Sequence, residues 1–179
     1  MLKIEDALLL VVDFQERLMP SIHRWEELAD KAATLIGGCR ALDIPILVTQ
    51  QYTKGLGPTI RKIDDALTEY DYIEKITFSC FGSEEFREKL GKANRKSIII
   101  TGIETHVCIQ QTVLDLLGNG FEVYAIADCL GSRSDRDFRY AMRRMEKAGA
   151  IVTTMESILF EMLVSADHPK RKEITVLVK

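Results

Sequence analysis

The feature that most limits the fold is a set of short, unbroken apolar runs. Ala7–Val12 reads ALLLVV, with no polar residue to turn toward water on either side. A strand exposed on one face alternates apolar with polar residues; a strand covered on both faces need not. Ala7–Val12 is therefore predicted as a central strand of a parallel sheet. Ile44–Thr49, Ser97–Thr101, Phe121–Ala127 and Ala150–Thr153 read as further strands, and the less apolar Asp71–Lys75 as one nearer an edge.

Helical periodicity fills the intervals. Over Ser21–Leu42, the residues Ile22, Trp25, Leu28, Ala29, Ala32, Leu35, Ile36, Cys39 and Leu42 fall on one stripe, which makes Cys39 a core residue. Helices are also predicted over Thr59–Leu67, Ser83–Leu90, the stretch from Cys108 to Gly118, Ser134–Lys147, Met155–Leu163 and Pro169–Leu177. Ser83 and Ser134 suit the N-cap position, and Gly149 suits a helix stop. Gln50–Pro58 reads as a loop. Strands alternating with helices predict parallel βαβ units, and no linker or repeat interrupts them. The expectation is one three-layer α/β domain over residues 1–179.

Composition narrows the function classes. With 46% hydrophobic and 28% charged residues, the 179-residue chain has the make-up of a globular domain that can bury a full core. A net charge of −3 with no basic face argues against a nucleic-acid partner, and Lys170-Arg171-Lys172 reads as a solvated helix face. No apolar run approaches the ~18 residues of a membrane span, and the N-terminus reads as a folded strand. Four cysteines without a C-x-x-C pair suit reduced thiols and a cytoplasmic location.

In an open α/β sheet, ligands bind outside the carboxyl ends of the strands. Strand one ends on Asp13 and strand three on Lys75, while strand four leads through Gly102-Ile103-Glu104 to Cys108. An acid, a base and a thiol would meet at one sheet edge. A buried cysteine by itself is most often a core filler; its joint placement with Asp13 and Lys75 is what points to chemistry. A free thiol of pKa about 8.5 is only a few per cent thiolate at neutral pH. A helix N-terminus and a nearby ammonium would both lower that value, and a carboxylate could accept the thiol proton.

Three dispersed motifs carry a family resemblance over nearly the whole chain. They are Asp13-x-Gln15, Lys75 with Ser79 and Phe81 downstream, and Gly102-Ile103-Glu104-Thr105-His106-Val107-Cys108. The chain resembles the isochorismatase-like cysteine hydrolase superfamily. Gln51–Thr59 (QYTKGLGPT) and Leu130–Ser134 (LGSRS) look more narrowly like its isochorismatase domain-containing branch. The resemblance implies a three-layer αβα fold with a six-stranded parallel sheet of order 3-2-1-4-5-6. It implies a Cys108-Asp13-Lys75 triad, a cis Ile103–Glu104 peptide, and an oxyanion hole from the backbone N–H groups of Glu104 and Cys108. It further implies a homo-oligomer and a small-molecule substrate. Metal-binding nicotinamidases of the superfamily carry Asp-x-His after strand two. Here that stretch reads Thr49-Gln50-Gln51-Tyr52, so no metal and no cofactor are expected. The presence of Cys108 favours a covalent route on an amide-type substrate.

The remaining candidates are less specific. Phe14, Tyr52, Phe78 and Phe81 leave strand ends and could wall the pocket, and Gln15 and Gln51 could hydrogen-bond substrate. Arg133 could bind an anionic group. Cys80 and Cys129 read as packing residues, and His106 as a polar neighbour on another helix face. Two alternatives stand beside the hydrolase expectation. One is a redox-reactive thiol protein with Cys80 or Cys129 as resolving thiol; the other is a non-catalytic binding module on the same fold.

Overall fold

A computed structural model describes residues 1–179. Its sheet has six parallel strands, β1 (Ala7–Val12), β2 (Ile46–Gln51), β3 (Tyr72–Lys75), β4 (Ser97–Ile103), β5 (Glu122–Gly131) and β6 (Ile151–Thr153), in the order β3-β2-β1-β4-β5-β6. The unbroken apolar character of β1 has a direct cause. Ala7, Leu9 and Val11 enter one core, and Leu8, Leu10 and Val12 enter the other.

The first core lies against α1 (Trp25–Ala41), α3 (Arg61–Leu67), α7 (Met155–Leu163) and α8 (Arg171–Leu177). The second lies against α4 (Glu84–Ala93), α5 (Gln110–Gly118) and α6 (Asp135–Ala148). Helices on both faces of a parallel sheet make the expected αβα layers. No helix is long and apolar enough to cross a membrane.

Element boundaries moved where local geometry intervened. The first helix begins at Trp25 rather than Ser21, because a 3₁₀ turn at Met19–Ser21 contains Pro20 and Arg24 takes a left-handed φ of 53°. The predicted loop after β2 contains one helical turn, α2 (Thr53–Leu56). Ser83 Oγ accepts from Phe86 N–H and Ser134 Oγ from Asp137 N–H, so both serines cap their helices. Gly149 ends α6 at φ 111°.

Strand register sets the position of the site. Val12 pairs with Thr49 on one side and Gly102 on the other, and Gln51 pairs with Lys75. The strand order reverses between β1 and β4, so the carboxyl ends of β1, β2, β3 and β4 share one edge. Gly102 holds β4 close to β1 with φ 138°; a Cβ there would sit 2.2 Å from the Val12 carbonyl oxygen.

Candidate active site

Asp13 leaves β1 in a left-handed conformation, φ 56°, which Asp tolerates better than most residues. Its carboxylate is fully enclosed and fully paired. Lys75 Nζ donates to Oδ2 at 2.6 Å, and Thr49 Oγ1 donates to Oδ1 at 2.8 Å. The side chains of Asp13 and Lys75 are both 0% exposed. Burial pulls the Lys75 ammonium down, but the Asp13 carboxylate beside it, through its charge and its hydrogen bond, leads the opposing causes, and the pKa lies above the ordinary value.

Lys75 is further held by Gln51 Oε1 at 2.7 Å and by the Thr77 carbonyl at 3.4 Å. Gln51 in turn donates to the Ile76 carbonyl through Nε2. Gln15 clamps the same strand end: its Oε1 accepts Gln51 N–H at 2.7 Å, and its Nε2 donates to the carbonyls of Gln51 and Gly57. The register explains this arrangement. Pairing Val12 with Thr49 brings that hydroxyl to Asp13, and pairing Gln51 with Lys75 brings the amide to the ammonium.

On the other side of the reversal, β4 runs to Ile103, the Ile103–Glu104 peptide is cis, and Thr105–Ile109 form a π turn before α5 begins. Cys108 sits in that turn, 7% exposed and buried with the second core. Thr112 Oγ1 donates to the Cys108 carbonyl at 2.7 Å and accepts Cys80 N–H at 2.9 Å, which ties the loop after β3 to the turn. The N–H of Glu104 has no acceptor within the chain, and Thr105 Oγ1 is a buried side-chain oxygen without a partner.

The state of the thiol corrects the sequence expectation. Burial, followed by the Asp13 carboxylate, pushes Cys108 from 9.0 up to about 12, and Lys75 opposes this only in part. Cys108 therefore rests as a neutral thiol beside an Asp13–Lys75 ion pair. The position at a helix head does not outweigh desolvation.

Several side chains have other tasks than the sequence suggested. Phe14 packs into the first core, on the α1 side of the sheet, whereas Cys108 lies in the second; Phe14 is not a wall around the thiol. The amides of Gln15 and Gln51 are engaged within the protein, by backbone groups and by Lys75, rather than left open for a substrate. Phe81 packs edge-on to Phe86, with ring centroids 6.5 Å apart. Tyr52 and Phe78 stand 48% and 55% exposed.

Glu104 supplies more than a backbone. Its carboxylate accepts from Arg133 N–H at 3.2 Å and Nε at 2.9 Å, with a third bond from Nη2, which commits one edge of the guanidinium to Glu104. The Arg133 hydrogen bond is the main cause that lowers the Glu104 pKa. His106 Nδ1 lies 3.0 Å from Ser132 Oγ.

Cys80 is fully buried, and its sulfur is 3.8 Å from Thr49 Oγ1. Burial and then Asp13 raise it to about 11. Thr49 was missed by the sequence reading; its position opposite Val12, next to the Asp13 exit, was the available signal. A cleft of about 260 Å³ lies at the end of β5, lined by His23, Asp128, Ser132 and Phe138 among others, and contains none of Asp13, Lys75 and Cys108. No three His, Cys, Asp or Glu side chains gather as a metal-binding group.

A parallel αβα sheet with an ion pair and a thiol at its reversal point defines the class: an isochorismatase-type fold. The isochorismatase domain matches residues 7–157, and the chain belongs to the isochorismatase family. It is 40% identical over 168 residues to isochorismatase domain-containing protein 1 of Danio rerio, covering 93% of this chain and 59% of that protein. The chain thus spans about three-fifths of that relative's length. Isochorismatase domain-containing protein 2 of Xenopus laevis is 37% identical over 173 residues, covering 96% of this chain and 83% of that protein. Among solved structures, MAR1 ribonuclease from Caenorhabditis elegans superposes with a TM-score of 0.93 at 36% identity, covering 99% of this chain and 91% of that one.

Proposed function

We propose that the chain is a metal-independent cysteine hydrolase acting on a small amide-type substrate. The observation that carries this reading is the fully enclosed Thr49–Asp13–Lys75 assembly beside the Cys108 thiol. A buried ion pair is costly to desolvate, and hydrophobic residues of similar volume often serve stability as well or better. Retention of the pair next to a nucleophile suits chemistry.

The raised thiol pKa sets the order of events. Cys108 Sγ attacks the substrate carbonyl as its proton passes to Asp13, so thiolate forms only as it reacts. The carbonyl oxygen becomes an oxyanion held by the N–H groups of Glu104 and Cys108. Asp13 returns the proton to the leaving nitrogen as the C–N bond breaks, and a thioester remains. Asp13 then takes a proton from water, whose oxygen adds to the thioester. Collapse releases the carboxylic acid, and the proton goes back to Cys108. Lys75 keeps the carboxylate oriented and offsets part of the rise in the thiol pKa.

The same reading takes residues 1–179 as one domain without a cofactor, working in the cytoplasm, where free thiols such as its four cysteines stay reduced. It includes self-association, supported by the apolar edge strand β6, where Ile151 and Val152 are exposed; light scattering on the eluted protein measures it.

A second reading, ribonuclease, is favoured by the similarity to MAR1 ribonuclease. Against it, the Lys75 ammonium, the cation acting most strongly on Cys108, is already committed to Asp13, Gln51 and the Thr77 carbonyl rather than open to a phosphate. One screen separates the two. Small amides and single-stranded RNA are incubated with the protein and with Cys108→Ser, and adducts are located by peptide mass spectrometry. Amide turnover with an acyl mass on Cys108, lost in Cys108→Ser, is expected. RNA cleavage that survives Cys108→Ser, or adducts confined to Cys39, Cys80 and Cys129, would defeat the hydrolase reading.

A further inference from the structure

The charges around Cys108 fix more than its mechanism. The Lys75 ammonium has three N–H donors, and they point to Asp13, Gln51 and, more weakly, the Thr77 carbonyl. Arg133 is bound to Glu104, Arg87 donates to the Phe81 carbonyl at 2.6 Å, and Arg17 donates to the Gly55 carbonyl at 2.7 Å. His106 is paired with Ser132. Lys54 on α2 is solvent-exposed, where water and salt screen it.

What faces the thiol is therefore a pair whose charges cancel. Asp13 and Lys75 are the ionised groups that act most strongly on Cys108. The groups without partners in the adjoining turn, Glu104 N–H and Thr105 Oγ1, are neutral dipoles. The outer segment is apolar. Tyr52, Ile76 and Phe78 are 48%, 70% and 55% exposed, and Ile76 and Phe78 lie in the short loop between Lys75 and Ser79. Ser79 pins that loop to α5 through Asp115 at 2.6 Å.

We propose, resting on the hydrolase reading above, that this site selects uncharged acyl compounds with an apolar substituent and rejects those carrying a carboxylate or phosphate next to the scissile bond. An anion entering here would lose its hydration and meet Asp13, while Lys75, the cation that acts most on Cys108, directs its donors to Asp13, Gln51 and Thr77. A neutral carbonyl needs only a neutral donor such as the unpartnered Glu104 N–H, and it becomes negative only as the thiol proton leaves.

The test compares two alkylating agents of nearly equal size, neutral iodoacetamide and anionic iodoacetate. Each forms an S–C bond with release of iodide. Rates at Cys108 are followed by peptide mass spectrometry at one pH near 8.5, with glutathione as the unstructured reference thiol. The amide-to-acetate rate ratio at Cys108 should exceed that of glutathione by about tenfold or more, the uncompensated burial of one carboxylate. A ratio equal to or below that of glutathione overturns the proposal.

Phe78→Arg places a cation on the exposed rim without disturbing the core, and it should lower the ratio several-fold. An unchanged ratio in the folded variant overturns the part of the proposal that assigns the apolar substituent to this rim. Matched neutral and carboxylate-bearing amides complete the design. If both turn over equally well, charge selection fails while the hydrolase reading stands. If neither turns over but the alkylation ratio holds, the hydrolase reading fails and charge selection stands.

Discussion

The Asp13–Lys75 and Glu104–Arg133 pairs both put a carboxylate close to the Cys108 turn, yet water treats them differently. Both side chains of the first pair are 0% exposed, whereas in the second Glu104 is 8% and Arg133 63% exposed. In the first, a hydroxyl and an amide complete the hydrogen bonding, so neither charge relies on solvent. In the second, the guanidinium stays largely hydrated and the carboxylate alone is enclosed. The difference separates a pair whose loss strands a buried charge from one whose loss mainly frees a loop. Under the proposed mechanism the two pairs would divide the labour, the enclosed pair handling protons and the open pair holding the residue whose N–H receives the oxyanion.

Removing one partner of the enclosed pair should give the largest effect. Lys75→Met leaves Asp13 without a counter-charge, which should lower stability by about 3–5 kcal/mol and hydrolysis by about 10²–10⁴-fold. Urea unfolding and single-turnover assays read the two losses separately. A fully stable variant would mean that Asp13 is not held as an anion by Lys75.

Asp13→Asn sharpens the same point, since activity and thiol reactivity should move in opposite directions. Hydrolysis should fall by about 10²–10⁴-fold with the base gone. The carboxylate is also the second cause, after burial, of the raised Cys108 pKa. Without it, the midpoint of Cys108 alkylation against pH should move down from about 12 toward the ordinary 9.0, stopping short because burial remains. A midpoint that moved up would remove Asp13 from the neighbourhood of the thiol.

These expectations depend on features the sequence disclosed unequally. The αβα sheet was legible because a strand buried on both faces must be apolar throughout, as Ala7–Val12 is, and because periodic stripes such as Leu28, Leu35 and Ile36 leave a helix only one way to lie. The strand order and the cis Ile103–Glu104 peptide came from family resemblance alone; no local property of those residues announces either. Thr49 was hidden for a geometric reason. Its closeness to Asp13 is created by parallel register between strands far apart in sequence, which no linear spacing records. The protonation state of Cys108 was misjudged because local cues, a helix head and a lysine, favour thiolate, and only the packed core reveals how strongly desolvation opposes it. Phe14 was misplaced because the chain turns through Asp13 at φ 56°, so strand alternation no longer predicts which core receives the next side chain.

Thr49→Val tests the enclosed pair more gently. It deletes the hydroxyl donor to Asp13 Oδ1 while keeping the volume, and should cost about 1–3 kcal/mol for a buried acceptor left short of a donor. Activity should fall about tenfold, with Asp13 less firmly aimed. Thr49→Ser, which keeps the hydroxyl, should recover most of both. Failure of serine to rescue would assign the loss to packing.

The smallest effect belongs to the open pair, and its signature lies in acid. The Arg133 hydrogen bond holds Glu104 below its ordinary 4.5. For a carboxyl with a depressed folded pKa, the stabilisation is present above the unfolded value and fades as pH falls through the folded one. Arg133→Ala should therefore cost at most about 1 kcal/mol near pH 7, because the guanidinium is mostly in water. That difference from the parent should close in acid, as pH falls through the depressed folded pKa of Glu104 and the carboxyl is protonated in both. Turnover should drop a few-fold through kcat with KM little changed, as expected when the N–H of Glu104 loses its brace but the substrate's ground-state contacts do not. Urea midpoints near neutrality and in acid, with kcat and KM measured separately, check all three points. A loss as large as that of Lys75→Met, or one that persists in acid, would erase the distinction between the two pairs and give Arg133 a direct part in the chemistry.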